Sequence, residues 1–514
     1  MAVSTWRQRS RRPARRPRLL SVVTSAVVVL AGCTAAPADQ SASRSVLRTP
    51  EQRTTMLNAD DGAELAAATS AELFESSPVV VIVEPDNQSS TEVAADFATR
   101  LGVPVLPVPD NSNGPVTEEL SRLAPQALLA VGTTPGNDVE AQVDTQRVIT
   151  VPATQDAADG TLPNELPEVR PPEPAQVTTL ITDERTDSAA AATARAAGSR
   201  TITVPGGDPR ADPAAIETLH EQPPETVLAI GEAFDSATRL RDRIAVANTG
   251  EQLPGGGQLV FPGRRLVCLY GHPGTPALGA LGEQGIAASI DRVKKLAGRY
   301  ENLSDVPVVP AFELIATVAS DSAGADGDYS TEATVDELRP WVRRAQDAGL
   351  YVILDLQSGR ADVLEQAKKY QELLRQPNVG LAIDPEWKLE PDQQPLHQIG
   401  SVDAATVNRV ASWLAELTAE HDLPQKLLVL HQFSASMIEN EKRMETDYDQ
   451  LSLLVHMDGQ GAPKLKNSSW RSVLNARPAP LPMGWKNFYD EDHPMLSPSQ
   501  TMSHEPTPMM ISYQ

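Results

Sequence analysis

The feature that most constrains the fold is a series of eight short apolar runs in the second half of the chain. Most of them end in polar residues, and helical segments separate the first six. The runs cover residues 265–270, 308–313, 351–355, 379–384, 426–431, 451–456, 483–487 and 509–513, and the helical segments cover 282–300, 331–348, 361–375, 402–420 and 434–446. Eight strands that alternate with helices predict a (β/α)8 barrel over residues 262–514. A doubly wound open sheet is the alternative.

The first half of the chain contains an internal duplication. The order strand, helix, strand, helix, strand occurs in residues 76–150 and again in residues 151–250. Leu180 is equivalent to Ile82, which gives an offset of 180 − 82 = 98 residues. Strands that alternate with helices indicate parallel α/β layers. We therefore expect an α/β protein with a duplicated α/β module before the barrel, and Pro254-Gly-Gly-Gly-Gln258 as the linker between them.

The duplicated module resembles the type-2 cell-wall-binding repeats of Gram-positive surface proteins. The resemblance lies in a hydrophobic strand, an Ala-rich helix, Gly102-Val-Pro-Val-Leu106 and then Ala130-Val-Gly132. In that family three tandem copies dock proteins onto anionic wall polymers, whereas this chain has two copies and a strongly acidic composition. A duplicated scaffold without a ligand is the alternative interpretation.

The amino terminus has the pattern of an export signal. Residues 1–32 carry seven arginines and no acid, and the apolar run at 19–30 leads into Leu30-Ala-Gly-Cys33. This ending resembles the lipobox of bacterial lipoproteins, which implies that Cys33 is lipid-modified and becomes the mature amino terminus. An ordinary signal peptide with an incidental cysteine is the alternative. Residues 33–75 then predict a flexible tether, up to about residue 55, and a lead-in helix near 63–74.

Net charge narrows the set of partners. The formal charge is −24, and removal of the seven signal arginines gives −24 − 7 = −31. Such an acidic chain argues against nucleic acid and against direct adhesion to anionic lipid headgroups. Cys33 and Cys268 are the two cysteines, and because Cys33 has the lipobox role, we expect no disulfide. Cys268 lies inside the first barrel strand and is expected to be a core thiol.

Polar side chains gather at the carboxyl ends of the barrel strands, where barrel enzymes hold their active sites. Buried polar groups must be paired, so a purely structural barrel would not collect so many of them. We predict Glu386, Asp384, Glu313 and Asp355 as catalytic residues. The predicted substrate-binding residues are Tyr270, His272, Trp387, His431, His456, Asp458, Trp485 and Lys486.

The segment Asp384-Pro-Glu386-Trp387 at the end of the fourth strand carries the sharpest prediction. Side chains two apart on a strand share a face, so both carboxylates should point the same way. Glu386 is the candidate general acid if apolar neighbours such as Trp387 raise its pKa. Asp384, Glu313 or Asp355 would act as nucleophile, base or stabiliser of an oxocarbenium ion. The alternative is a structural ion-pair network of both acids with Lys486 or an arginine.

Residues 379–386 also resemble the fourth-strand motif of the chitinase-like family 18 glycoside hydrolases, Asp-Gly-x-Asp-x-Asp-x-Glu. The resemblance implies that Glu386 is the proton donor and that Asp384 supports the acetamido group of the substrate. Val379 and Ala382 replace the two earlier acids, so Asp384 is expected to lack its usual carboxylate neighbour. The Asp-x-Glu pair also resembles the lysozyme-like family 25 muramidases.

These patterns leave three functional hypotheses. The first is a lipid-anchored glycoside hydrolase on the extracytoplasmic face of an actinobacterial type of membrane, which cleaves an envelope or extracellular glycan. The second is a non-catalytic glycan-binding or scaffolding lipoprotein with the same cell-envelope polysaccharide as partner. The third is a metal-dependent hydrolase, although the sequence contains no His-x-His pair. We favour the two hypotheses without a metal, since no close pair of histidine ligands occurs in the sequence, and we expect no cofactor, since the loop at 272–279 lacks the Lys-Ser/Thr of a nucleotide-binding loop.

Overall fold

The computed structural model describes residues 42–59, 61–85, 87–108, 114–134, 147–154, 161–182 and 188–514. Residues Ala42–Gln514 form one compact unit. The predicted signal peptide, Cys33 and the first part of the predicted tether lie outside the described residues. Within these described ranges no helix is both long enough and apolar enough to cross a membrane.

The amino-terminal module consists of helices and short strands, most of which pair in parallel. Its strands are β1 (Val46–Leu47), β2 (Thr54–Leu57), β3 (Phe74–Ser76), β4 (Val79–Val83), β5 (Val105–Pro107), β6 (Ala127–Val131), β7 (Val148–Val151), β8 (Thr178–Ile181), β9 (Arg200–Thr203) and β10 (Val227–Ile230). Its helices are α1 (Gly62–Leu73), α2 (Gln88–Leu101), α3 (Pro115–Leu123), α4 (Ser188–Ala196), α5 (Pro213–Glu221) and α6 (Ala237–Asn248). All five residues of β4 are buried, as expected of a parallel strand covered on both faces.

The two copies of the duplication form two four-stranded parallel sheets, in the orders β5-β4-β6-β7 and β9-β8-β10-β2. This arrangement confirms the duplicated α/β module. β2 takes the place in the second sheet that β7 takes in the first, and it pairs with β10 from Thr54 to Leu57. The copies share a core, since the Thr193 hydroxyl in α4 donates to the Val105 carbonyl and accepts from its N–H, both at 3.0 Å.

The predicted tether is packed where the structure describes it. The Ser45 hydroxyl is buried and donates to the Gly102 carbonyl at 2.7 Å, and β1 pairs with β3. β2 begins at Thr54, inside the segment that was expected to be flexible. The composition of residues 42–55 resembles that of a linker because these strands are very short, and long-range pairing, which composition does not reveal, holds them in place.

The second half of the chain is a closed barrel. Its strands, with short accessory ones, are β11 (Arg265–Gly271), β12 (Val308–Ala319), β13 (Ser330–Glu332), β14 (Tyr351–Leu356), β15 (Val379–Ile383), β16 (Val402–Asp403), β17 (Lys426–His431), β18 (Ile438–Glu439), β19 (Leu451–Met457), β20 (Met483–Asn487) and β21 (Met510–Tyr513). Its helices are α7 (Ile286–Ala297), α8 (Val335–Asp347), α9 (Val363–Lys369), α10 (Gln371–Leu374), α11 (Ala404–Glu420), α12 (Pro463–Ala476) and α13 (Pro498–Met502).

Closure of the barrel follows from the pairing of its first strand on both sides. β11 pairs in parallel with β12 and with β21, and the order around the barrel is β11, β12, β14, β15, β17, β19, β20, β21. The (β/α)8 barrel is therefore confirmed, and the open sheet is wrong because a closed sheet has no edge. β13, β16 and β18 lie outside the ring, and β13 runs antiparallel to the extended end of β12.

Two connections differ from the prediction. Residues 434–446 do not form the expected helix, because Asn440 adopts a left-handed conformation (φ 55°) between two short 3-10 turns. The connection after β19, which looked irregular, contains α12. Only Lys466, Trp470 and Val473 are buried in α12, so its apolar stripe is too narrow to be recognised in the sequence.

The glycine-rich linker closes the amino-terminal end of the barrel. Leu253 and Val260 belong to the barrel's interior core, which also includes the fully buried Cys268. The buried Arg264 guanidinium donates to the carbonyls of Gly256 at 2.6 Å and Leu259 at 2.9 Å, and also to that of Pro254. The segment is thus a packed plug whose backbone carbonyls are satisfied by one side chain.

The amino-terminal module docks on this same end of the barrel. Asp449, which lies just before β19, accepts from Arg243 Nη2 at 2.7 Å and forms an ion pair with Arg210 Nη2 at 3.0 Å. Although burial opposes ionisation, the hydrogen bond from Arg243 and the charges of Arg210 and Arg243 lower the pKa of Asp449. The module therefore sits at the opposite end from the carboxyl ends of the strands.

We expect Arg264→Ala to destabilise the protein by about 3 kcal/mol or more, because it leaves several buried carbonyls unpaired and opens a cavity. Urea unfolding followed by circular dichroism measures this change. Arg299→Ala, at an exposed position, is the matched control and should change stability by less than about 0.5 kcal/mol. An equally small effect of Arg264→Ala would contradict the packed-plug interpretation.

Candidate active site

A cavity of about 570 Å³ opens at the carboxyl ends of the barrel strands. Six of the predicted site residues line it: Tyr270, Asp384, Glu386, Trp387, Asp458 and Lys486. Half of the twelve barrel residues predicted from the sequence as site residues therefore line this one cavity. The lining also includes residues that were not among the predicted site residues, namely Gln357, Phe433, Gln460, Ser469, Phe488, Glu491 and Gln514. Gln357 and Phe433 could have been found from the sequence, since each comes one or two residues after a predicted strand end.

Asp384 and Glu386 reach this cavity through a tight turn. β15 ends at Ile383, and residues Pro385–Trp387 form a single 3-10 turn with proline at its first position. The Gly400 N–H donates to the Glu386 carbonyl at 2.7 Å and fixes the turn. Asp384 is buried, whereas Glu386 and Trp387 are partly exposed to the cavity. Both residues line the same cavity, but the predicted reason is wrong, because Glu386 lies in a 3-10 turn and not on the strand.

The surroundings of these two acids favour their protonated forms. Burial and the charge of Asp458 raise the pKa of Glu386 to about 7, against the opposing charges of Lys486 and His431. Burial, followed by the charges of Glu386 and Asp355, raises the pKa of Asp384 well above its usual range. Glu386 is therefore poised to hold and release a proton near neutral pH.

Beneath the cavity floor, the imidazole of His431 bridges two carboxylates. Nε2–H donates to Glu313 Oε1 at 2.8 Å, and Nδ1–H donates to Asp458 Oδ2 at 3.0 Å. Burial alone would lower the pKa of His431, but Glu313 and the hydrogen bond to Asp458 raise it well above its usual range. His431 is thus a buried imidazolium, and neither His431 nor Glu313 lines the cavity itself.

A second pair joins Tyr270 to Asp355. The Tyr270 hydroxyl donates to Asp355 Oδ2 at 2.8 Å, and Lys486 Nζ lies 3.4 Å from the centroid of the Tyr270 ring. Burial raises the pKa of Asp355 to about 6, although the charge of His431 opposes this shift. Asp355 also lies in register with Ala382 on the neighbouring strand. This corrects the expectation that Asp384 lacks a carboxylate neighbour, because β14 supplies one where the β15 sequence does not.

His456 lies in the interior below the cavity. Its Nε2 is 2.7 Å from Ser512 Oγ, and its ring lies 5.2 Å from that of His431, edge to face. Burial and the charge of His431 lower the pKa of His456 well below its usual range, so the imidazole is neutral. Gly484 leaves the space that this ring occupies, since a Cβ there would overlap His456 Nδ1. His456 therefore supports the site and does not line it.

Trp485 and His272 are not brought to the cavity wall. Trp485 is fully buried, stacks on His504 with ring centroids 4.1 Å apart, and donates from Nε1 to Asn487 Oδ1 at 3.0 Å. Adjacent strand residues face opposite sides, so Trp485 points outward where Lys486 points inward. This corrects the prediction that Trp485 binds substrate, because its ring packs in the core. His272 lines a neighbouring cavity of about 760 Å³.

The ion-pair network, which was the alternative interpretation of these acids, is not observed among the residues that the structure describes. Among the described residues no ion pair joins Asp384 or Glu386 to Lys486 or to an arginine. In the same ranges, no group of three or more His, Cys, Asp or Glu side chains has the arrangement of a metal site. The metal-dependent hypothesis therefore has no ligand set in the described part of the chain.

Comparisons with known proteins identify no family for the chain. No protein-family model matches it, and no curated protein matches it. Among solved structures it is similar to Cwp6 from Clostridium difficile, with 11% sequence identity and a TM-score of 0.32 over 65% of this chain. The similarity spans 63% of the length of that neighbour.

We expect Glu386→Gln to stabilise the folded protein at pH 8 and to leave its stability unchanged at pH 4. Burial and the charge of Asp458 raise the pKa of Glu386 from the ordinary value of 4.5 to about 7 in the folded protein. The unfolded chain therefore binds fewer protons between these values, and wild-type stability falls as pH rises through them. After a discount for partial exposure, the gain above pH 7 is about 1–3 kcal/mol. Urea unfolding at both pH values measures it, and a loss of stability at pH 8 would contradict the raised pKa.

Proposed function

We propose that the chain is a glycoside hydrolase in which Glu386 is the general acid. The observation that carries this proposal is a carboxyl group with a pKa of about 7 on the wall of an open cavity at the carboxyl ends of the barrel strands. Barrel enzymes hold their active sites at these ends, and a perturbed carboxyl in a cleft is a recurrent mark of acid–base catalysis. Further carboxyl groups, Asp384 and Asp458, line the same cavity.

The cavity wall has the mixed character that a sugar ring requires. Trp387, Phe433 and Phe488 offer apolar surfaces for the faces of the ring, and Gln357 and Lys486 offer donors for its hydroxyl groups. In the reaction Glu386 would give its proton to the glycosidic oxygen as the bond to the anomeric carbon breaks. No group beyond these side chains and water is needed for this step.

The arrangement of the cavities favours a polymeric substrate. The neighbouring cavity that contains His272 shares Leu278, Val318 and Ala319 with the first cavity, so the two cavities are adjacent. A chain of several sugar units could occupy both cavities, with the scissile bond beside Glu386. This arrangement gives His272 the substrate-binding role proposed from the sequence, at a site displaced from the scissile bond.

The non-catalytic alternative has less support. A barrel that had lost its chemistry would be expected to neutralise Asp384 and Glu386 by ion pairs in a closed site. The described residues show an open cavity and no such ion pairs. Asp384 Oδ1 is buried without a hydrogen-bond partner, which is costly for a site that has only a structural role.

We further propose that the protein is held on the extracytoplasmic face of the membrane through a lipid on Cys33 and acts on cell-envelope polysaccharide. The arginine-rich start, the apolar run at 19–30 and the lipobox-like Leu30-Ala-Gly-Cys33 support the anchor. The acidic composition fits a neutral or cationic glycan better than an anionic polymer.

We expect purified cell-envelope polysaccharide to be cleaved by the wild-type protein, with Glu386→Gln at least about a thousandfold slower because it cannot donate the proton. Mass spectrometry of released oligosaccharides measures this and identifies the sugar. Glu390→Gln, an exposed position four residues away, is the matched control and should keep full activity.

The acid assignment also fixes the sign of the pH dependence. Above a pKa of about 7 Glu386 loses the proton that it must donate, so kcat/KM should fall about tenfold per pH unit. Equal cleavage by wild type and Glu386→Gln, or activity that rises through pH 8, would refute the assignment. Retention of polysaccharide without cleavage by either protein would make the chain a binding protein.

For the anchor, we expect cells fed an alkyne fatty acid to label the wild-type protein, and we expect Cys33→Ser to abolish the label because the acceptor thiol is removed. In-gel fluorescence measures the label. Cys268→Ser is the matched control, since this thiol is buried in the barrel and should not affect labelling. A label that persists in Cys33→Ser would show that Cys33 is not the site.

A further inference from the structure

We propose that Asp458 is the ionised carboxylate that faces the positive charge at the anomeric carbon, and that His431, clamped by Glu313, is its positioning residue. This assignment rests on the proposed glycosidase function and deepens it. It replaces Asp384, Glu313 and Asp355, the candidates that the sequence offered for this role.

The two oxygens of Asp458 have different surroundings. Oδ2 accepts from His431 Nδ1 at 3.0 Å, which fixes the orientation of the carboxylate. Oδ1 is buried and has no hydrogen-bond partner within the described residues. Asp458 lines the same cavity as Glu386. A buried carboxylate oxygen without a hydrogen-bond partner is costly to keep ionised, and this cost falls when a positive charge develops close to it.

His431 is held as a cation by contacts from several strands. Glu313 on β12 accepts from its Nε2, and Asp355 Oδ1 on β14 lies 4.0 Å from the same atom. His456 on β19 presents the neutral ring described above, 5.2 Å away, and Tyr270 on β11 approaches edge to face at 6.2 Å. With both ring nitrogens committed to carboxylates, the imidazolium cannot rotate, so Asp458 stays aimed at the cavity.

Electrostatics separate the roles of the carboxyl groups. Burial opposes the ionisation of Asp458, but the hydrogen bond and charge of His431, and the charge of Lys486, lower its pKa below the usual range. Glu386 is shifted in the opposite direction, in part by the charge of Asp458. Two carboxyl groups at one site whose pKa values are shifted in opposite directions can act as an acid and as an anion. Asp384 and Asp355 are both shifted toward the neutral form, so neither is the better anion.

The reaction balances with these groups and one water molecule. Glu386 gives its proton to the glycosidic oxygen, which takes the bonding electron pair as the bond to the anomeric carbon breaks. The Asp458 carboxylate stabilises the resulting oxocarbenium ion and stays ionised throughout. Water then adds to the anomeric carbon and returns a proton to Glu386.

The first test is the isosteric variant Asp458→Asn in the full chain, with cleavage of purified cell-envelope polysaccharide measured as new reducing ends. We expect kcat to fall about 100-fold or more. The alkaline limb of the pH profile should move to lower pH, because the negative charge that disfavours ionised Glu386 is gone. Asp449→Asn, an ion-paired aspartate at the opposite end of the barrel, is the matched control and should keep its activity. Activity of Asp458→Asn within about threefold of wild type, or an unmoved alkaline limb, would overturn the assignment.

A second variant guards against a simple folding defect. Asp458→Ala with added formate should regain activity, because a small carboxylate can occupy the vacated space, and absence of rescue in a variant that unfolds like wild type would count against Asp458. Cleavage by wild type with no effect at Asp458 would overturn this assignment alone. Absence of cleavage by wild type would overturn the glycosidase function and the assignment with it.

His431→Gln tests the positioning role. Glutamine can still donate one hydrogen bond to Asp458 but carries no charge, so the pKa of Asp458 should rise. The acid limb of the pH profile of polysaccharide cleavage should therefore move to higher pH. The other titratable groups that interact with Asp458 are not substituted in this variant; they are Asp384, Glu386, His456, Lys466 and Lys486. Between pH 6 and pH 4.5 wild-type activity should stay constant, whereas the variant should lose about threefold or more. A merely structural histidine would lower activity equally at every pH, and that result would contradict the positioning role.

Discussion

The burial of four carboxyl groups beside a fifth, half-buried one at one end of a barrel is the constraint on which the site depends. Glu313, Asp355, Asp384, Glu386 and Asp458 meet within or just beneath one cavity, and His431 and Lys486 are the cations among them. In such a region a carboxylate must be paired with a positive charge or neutralised by protonation. His431 forms hydrogen bonds with Glu313 and Asp458, and burial favours the protonated forms of Asp355, Asp384 and Glu386. The raised pKa of Glu386 is thus a consequence of its burial and of the charge of Asp458.

The rest of the molecule keeps this end of the barrel open. The plug around Leu253 and Val260 fills the amino-terminal end of the barrel, and Arg264 satisfies its carbonyls. The duplicated module docks at the same end through Asp449. Stability is therefore supplied at one end of the barrel, and the destabilising arrangement of acids is tolerated at the other. This division is typical of barrel enzymes.

Strand positions and strand ends could be predicted from the sequence, because buried parallel strands are continuous apolar runs and the polar residues after them are conspicuous. The position of Glu386 could not be predicted from strand periodicity, because this residue lies in a 3-10 turn beyond the end of β15. The orientation of Trp485 could be predicted from strand periodicity, because adjacent strand residues such as Trp485 and Lys486 face opposite sides of the sheet. The contacts of His431 could not be predicted, because Glu313 is 118 residues away and is brought to it by closure of the barrel. Likewise β2 joins the second sheet from a segment whose composition resembles that of a tether. Whether such a segment is a strand or a flexible tether depends on tertiary pairing, which composition does not reveal.

The most direct test of the central claim is a carboxyl ¹³C NMR titration of Glu386 in the full chain, with the resonance assigned by its loss in Glu386→Gln. It requires no substrate and reads the proton on the proposed acid itself. The charge cluster predicts an apparent pKa of about 7. Titration near the ordinary glutamate value of about 4.3 would show that Glu386 is ionised at neutral pH, and the assignment of the general acid would then be wrong.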